Sequence, residues 1–136
     1  MLKDTRIDAV IPAVDVERAR KFYRDTLGLE EITPRGLDRE ASMANAMFRV
    51  GDCSRFLIYK RPRRSKAEHT LATFTVDNLE GTMQDLRKRG VRFEHYDLPN
   101  LKTDERDIAE QDGMKVAWFK DSEDNILGIG EVPFLN

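Results

Sequence analysis

The side chains best suited to nucleophilic or metal chemistry are few in this 136-residue chain: two histidines, His69 and His95, and one cysteine, Cys53. A catalytic zinc ion takes three protein ligands from imidazole, thiolate and carboxylate groups, and magnesium or manganese prefers oxygen donors. Any metal site must therefore recruit Asp and Glu. Glu94, His95 and Asp97 form one such cluster, but neighbours in a strand point to opposite faces, so only a loop brings Glu94 and His95 inward together. His69 can donate to a ligand or act as an acid or base near neutral pH. Cys53 sits in a turn beside Asp52 with no histidine next to it, which gives little support for a nucleophile, and a lone cysteine excludes an intrachain disulfide. Trp118 offers flat apolar surface on which a planar molecule can stack, Phe56 is either a cavity wall or core, and Tyr96 opens the long segment that follows Val91 to His95.

These residues need elements to position them. Ile7 to Val14 is nearly continuously apolar, as in a strand covered on both faces. Asp15 then stands at an N-cap position, and Val16, Ala19, Phe22, Tyr23 and Leu27 share one helical face that ends at Gly28. Leu29 to Ile32 restarts an extended segment, a loop follows around Pro34 and Gly36, and two strands are expected near Ala44 to Val50 and Arg55 to Arg61. The order recurs from Thr70. Leu71 to Val76 reads as a strand, Asp77 or Asn78 as a cap, Leu79, Met83 and Leu86 as a helical face, and Gly90 as its stop. Val91 to Tyr96 is the next extended piece, and Val116 to Lys120 and Asn125 to Ile129 make a hairpin. The helical units superpose with a shift of 62 residues and the hairpins with a shift of 70, which leaves extra length in Asp97 to Gly113, either a lid over the site or a solvated connector.

The expected fold is thus α+β: two βαβββ repeats whose sheets form an open, cup-like mixed barrel with the helices outside. Module 1 spans about 1–62, a linker 63–68 and module 2 about 69–136, all within one domain. Strand alternation turns Ile7, Ile11, Phe56, Lys60, His69, Thr73, Ile126 and Gly130 into the hollow, with Trp118 close by. Gly128 and Gly130 either let a ligand approach or mark a bend. Met43 and Met47 are expected to fill core or interface space.

Composition narrows the partners. Net charge is -2, so no global field favours a polyanion, although residues 1–66 carry 15 basic and 10 acidic groups and residues 67–136 carry 8 and 15. The Lys60 to Lys66 run holds five cations without interleaved aromatics and reads as an exposed linker, so no nucleic acid is expected. Lys3, Asp4, Arg6 and Asp8 punctuate the start, and no apolar run approaches the roughly 18 residues of a membrane span. A soluble, cytoplasmic chain without a membrane partner is expected.

The segments Val14-Asp15-Val16-Glu17-Arg18-Ala19, Phe22-Tyr23-Arg24-Asp25-Thr26-Leu27-Gly28-Leu29 and Trp118-Phe119-Lys120-Asp121-Ser122-Glu123-Asp124-Asn125-Ile126-Leu127 resemble the vicinal-oxygen-chelate superfamily of glyoxalases, extradiol dioxygenases, and fosfomycin- and bleomycin-resistance proteins. In the last segment Ser122 and Asp124 replace the proline and glycine of the family's DPDGN turn, and Asp tolerates the left-handed position. The resemblance implies metal ligands at four strand positions, which fall on Ala9, Ile58, Leu71 and Gly128, none able to bind a metal. It also implies a homodimer, and a pocket-lining place for Trp118. The expected function is metal-free binding of a small, partly apolar molecule, without cofactor, for sequestration, sensing or transport, with Trp118, Phe56, His69, Thr73, Lys60 and Tyr96 as ligand-binding residues. The enzymatic alternative is a lyase or dioxygenase with a relocated metal, or an isomerase using His69 with Asp97 or Tyr96. No catalytic residue is assigned.

Overall fold

The Asp15 carboxylate accepts a hydrogen bond from the Arg18 N–H at 3.0 Å, starting helix α1 (Val16–Lys21) where the sequence predicts it. In the computed structural model, which describes residues 1–33, 36 and 38–133 (backbone only at 39, 41 and 42), contacts divide the chain into two compact units, Met1–Ser65 and Lys66–Asn136. The first contains β1 (Ala9–Ala13), α1, β2 (Glu30–Ile32), α2 (Arg39–Ala44), β3 (Asn45–Val50) and β4 (Ser54–Lys60). Its strand order is β1-β4-β3-β2, with β1 parallel to β4 and the other pairs antiparallel. Helix α2 replaces part of the expected loop; Pro34 lies outside the described residues.

The second unit contains β5 (Ala72–Thr75), α3 (Leu79–Lys88), β6 (Asp97–Leu98), β7 (Leu101–Lys102), β8 (Ala109–Gln111), β9 (Met114–Lys120) and β10 (Ile126–Glu131). The order β5-β10-β9-β8 repeats that of the first sheet, and β5 is again parallel to its neighbour. The α+β class and the doubled plan therefore hold. Val91 to Tyr96, read as a strand, forms no ladder with the sheet among the described residues: its backbone links are a bridge from Phe93 to Phe119 and a hydrogen bond from the Glu94 N–H to the Trp118 carbonyl. The edge place goes to β8, joined to β9 through Asp112 and Gly113, whose φ values of 53° and 79° make the tight turn that a two-residue hairpin requires.

One helix does not match its counterpart. After Lys21, α1 widens into a π-helical turn over Phe22–Thr26, which inserts one residue before Gly28. Thirteen positions separate the Asp15 cap from Gly28, but twelve separate the Asn78 cap from Gly90. Matched cap to cap, the first strands are offset by 63 residues, not 62. Cross-strand partners then offset the hairpins by 71: Met47 opposite Leu57 corresponds to Trp118 opposite Gly128. Burial obeys the new register, with Ala46, Phe48, Phe56 and Ile58 matching Ala117, Phe119, Leu127 and Ile129, all eight buried. Each set covers the sheet face packed by its helix: Tyr23 lies 5.1 Å from Phe56 and 5.8 Å from Phe48, ring to ring, and Leu79 and Met83 of α3 are buried in the other unit.

The Asp97 to Gly113 segment, read as a lid or a connector, is fastened within its own unit. Ile108 is buried, and the Asp104 carboxylate accepts from the Arg106 and Ile108 N–H groups at 2.8 and 3.1 Å. Arg106 pairs with Glu80, and Arg87 reaches the Arg106 carbonyl and Asp107, so residues 104–108 are tied to α3. The β9–β10 turn tolerates its departures from DPDGN. Asp124 takes the left-handed place with φ 65°, and buried Asp121 accepts from the Glu123 and Asn125 N–H groups at 2.8 and 2.9 Å.

Candidate functional site

In the second unit the helix-packed positions alternate with Thr73, Trp118 and Gly128, which lie on the face turned away from α3. The Trp118 indole is half-buried, and its Nε1–H donates to Thr70 Oγ1 at 3.1 Å, which fixes the ring. Tyr96 meets it edge to face, with centroids 5.5 Å apart and planes at 79°. Burial first, and then the Glu94 charge, raise the Tyr96 phenol above its ordinary value, so it stands as a neutral donor at physiological pH. Thr73 is exposed, as is His69, which makes no hydrogen bond or ion pair among the described residues. A side chain at Gly128 would place its Cβ 2.7 Å from Thr73 Oγ1, so the glycine makes room for threonine packing. The structure thus brings together Trp118 and Tyr96, with Thr73 on the same sheet, and adds Thr70.

Phe56 and Lys60 require correction. The expected alternation places them on the open face, but the π-helical turn displaces the repeat by one and so reverses that side in the first unit. Phe56, 6% exposed, stacks on Phe48 at 5.6 Å inside the helix-packed core. Lys60 shares its parity at the strand end, where it borders an open cavity of about 380 Å³ with Met43 and the start of α1. Ile11 is likewise core. The opposite face carries Val10, Met47, Arg49, Arg55, Leu57 and Tyr59. Of the two methionines read as core or interface, Met43 is 66% exposed and so is not core.

The same correction changes the implied metal positions. Leu71 and Gly128 correspond through the offsets of 63 and 71 to Asp8 and Leu57, not to Ala9 and Ile58. Asp8 does bring a carboxylate, but Arg55 holds it in two parallel bonds of 2.8 and 2.9 Å that keep its carboxyl below the ordinary range. Two leucines and a glycine, whose side-chain space is filled by Thr73, complete the set. This donor set does not fit a divalent metal. Nor do Glu94, His95 and Asp97 converge: His95 Nδ1 lies 2.9 Å from Asp107 Oδ1, while Asp97 faces Lys102 across the β6–β7 hairpin at 3.7 Å. Among the described residues, no three His, Cys, Asp or Glu side chains gather as a metal would require.

Sequence reasoning missed Thr70, Asp8, Arg55 and Asp107. Asp8 was recoverable from the strand pattern once the cap was matched to Asn78. The Thr70–Trp118 bond spans 48 residues and had no local signal. No helix among the described residues is long and apolar enough to cross a membrane.

Comparison with known proteins places this geometry. The family model for the Glyoxalase/Bleomycin resistance protein/Dioxygenase superfamily matches residues 6–122. No curated protein matches the sequence significantly. Among solved structures, a Bacillus anthracis protein assigned to the glyoxalase family superposes with a TM-score of 0.71 at 21% identity, covering 96% of this chain and 98% of that one. Lactoylglutathione lyase from Agrobacterium tumefaciens gives 0.63 at 19% identity over 94% and 93%. The fosfomycin resistance protein FosX from Mesorhizobium loti gives 0.64 at 10% identity over 98% and 97%. At these identities the likeness is one of fold.

Proposed function

Since this chain belongs to the Glyoxalase/Bleomycin resistance protein/Dioxygenase superfamily, we propose that it binds a small, planar, partly apolar molecule without a metal, for sequestration, sensing or transport. The observation that carries this reading is the Trp118 indole, held by Thr70 and buttressed edge-on by Tyr96 on the sheet face that α3 leaves bare. An indole fixed at its nitrogen presents a flat ring without the entropy cost of ordering it at binding. Thr73 supplies a hydroxyl on the same sheet face, exposed His69 an imidazole one residue before Thr70, and Tyr96 keeps its phenolic proton near neutral pH and so can donate a hydrogen bond. The family's metal chemistry has no support from the side chains at its expected positions, so affinity comes from stacking and hydrogen bonds.

Covering about 300 Å² of apolar ligand surface contributes roughly 7 kcal/mol, and association costs at least about 4. Polar contacts must supply the rest of a micromolar affinity. The test is a thermal-shift panel of aromatic metabolites and antibiotics run in parallel on wild type and Trp118→Ala. At least one planar compound stabilises the wild type and not the variant. A panel without hits, or hits indifferent to Trp118, overturns the reading.

A further inference from the structure

We propose that Arg6, Arg49 and Arg55, at the hairpin end of the first unit, form a binding site for an oxyanion, the phosphate or carboxylate group of a small molecule. Arg49 and Arg55 are direct partners in the β3–β4 register, and like charges at such positions repel. With Arg6 and Ser54 they line a single concavity of about 300 Å³. The carboxylates around them leave donors over. Asp8 engages Nε and Nη2 of Arg55, so the other N–H groups of that guanidinium remain. Glu30 stands 4.0 Å from Arg49, too far for a hydrogen bond, on an exposed edge. Asp52 shares the concavity, and Arg6, whose charge also acts on Asp8, donates no hydrogen bond among the described residues. Guanidinium groups match the planar edge of a carboxylate and the faces of a phosphate, and the Ser54 hydroxyl adds a neutral donor. The Asp8 bridge holds Arg55 in place and thereby pre-organises one wall of the site.

No residue is shared with the Trp118 face, so the two proposals fail or stand separately. The experiment titrates the full chain with inorganic phosphate and, in a second arm, acetate, against sodium chloride at matched ionic strength, by calorimetry. The Arg6→Gln/Arg49→Gln double variant is compared with the wild type and with Arg92→Gln, an exposed arginine of the second unit. Circular dichroism confirms that each variant folds. Saturable binding of either anion near about 1 mM is expected, weakened at least about tenfold in the double variant and unchanged in Arg92→Gln. Preference for phosphate assigns a phosphate-bearing ligand, and preference for acetate a carboxylate. Absence of saturable binding of both anions, or equal affinity in wild type and double variant, overturns the proposal.

Discussion

Replacing Phe56 and Leu57 one at a time by alanine tests the one-residue displacement of the repeat, because the two readings of β4 assign opposite ranks to these neighbours. In the structure Phe56 is 6% exposed and packs against both Phe48 and Tyr23, whereas Leu57 is half-buried on the other face. Truncating a core phenylalanine costs about 3–5 kcal/mol, the lost transfer energy plus the cavity left by a ring whose neighbours cannot collapse into it. A half-covered leucine loses less of its area and leaves an opening that water enters, so roughly 1 kcal/mol is expected. In urea, with a slope of about 2 kcal/mol per molar, Phe56→Ala shifts the midpoint down by about 2 M and Leu57→Ala by about 0.5 M. Equilibrium denaturation followed by circular dichroism reads both. If Leu57→Ala is the more damaging variant, the assignment of faces is wrong, and with it the placement of Asp8 beside the implied metal positions.

Removing the hydroxyl in Thr70→Val leaves the Trp118 N–H without its partner and costs about 0.5–1.5 kcal/mol; the emission of the sole tryptophan shifts as the ring loosens, and an unchanged spectrum contradicts the bond. Asp104, held by Arg106 and the Ile108 and Arg106 N–H groups, has its carboxyl below the ordinary 3.8, so its contribution is full above that pH and is lost as pH falls through the lower folded value. The urea midpoint of wild type therefore drops more steeply below pH 3.8 than that of Asp104→Asn, and parallel curves refute the assignment. Gly113→Ala forces a side chain into φ 79° in the β8–β9 turn and destabilises the chain by about 1–2 kcal/mol by thermal denaturation; a neutral effect contradicts the turn.

The parts of the fold written in local chemistry were legible: the Asp15 cap, the stops at Gly28 and Gly90, and both hairpins. The π-helical turn was not, since its extra residue leaves the apolar stripe of Val16, Ala19 and Tyr23 intact while moving every position before it by one. A shift of one reverses strand faces, which is why Phe56 and Lys60 fall on the helix-packed side of their sheet while Thr73 lies on the side turned away from α3. The Asp112-Gly113 pair was a readable hairpin signal, overlooked because the segment around it looked like a long loop. Of the candidate site, the aromatic groups could be named from their types. Their pairing across the sheet, and the hold of Thr70 on the indole, arise only when distant strands meet.

The most direct measurement is a fluorescence titration of the chelator-treated protein with a planar aromatic compound that stabilises it. Saturable quenching of Trp118 with the same micromolar affinity before and after the chelator is the predicted result. Binding that disappears with the chelator and returns with a divalent ion would contradict the account.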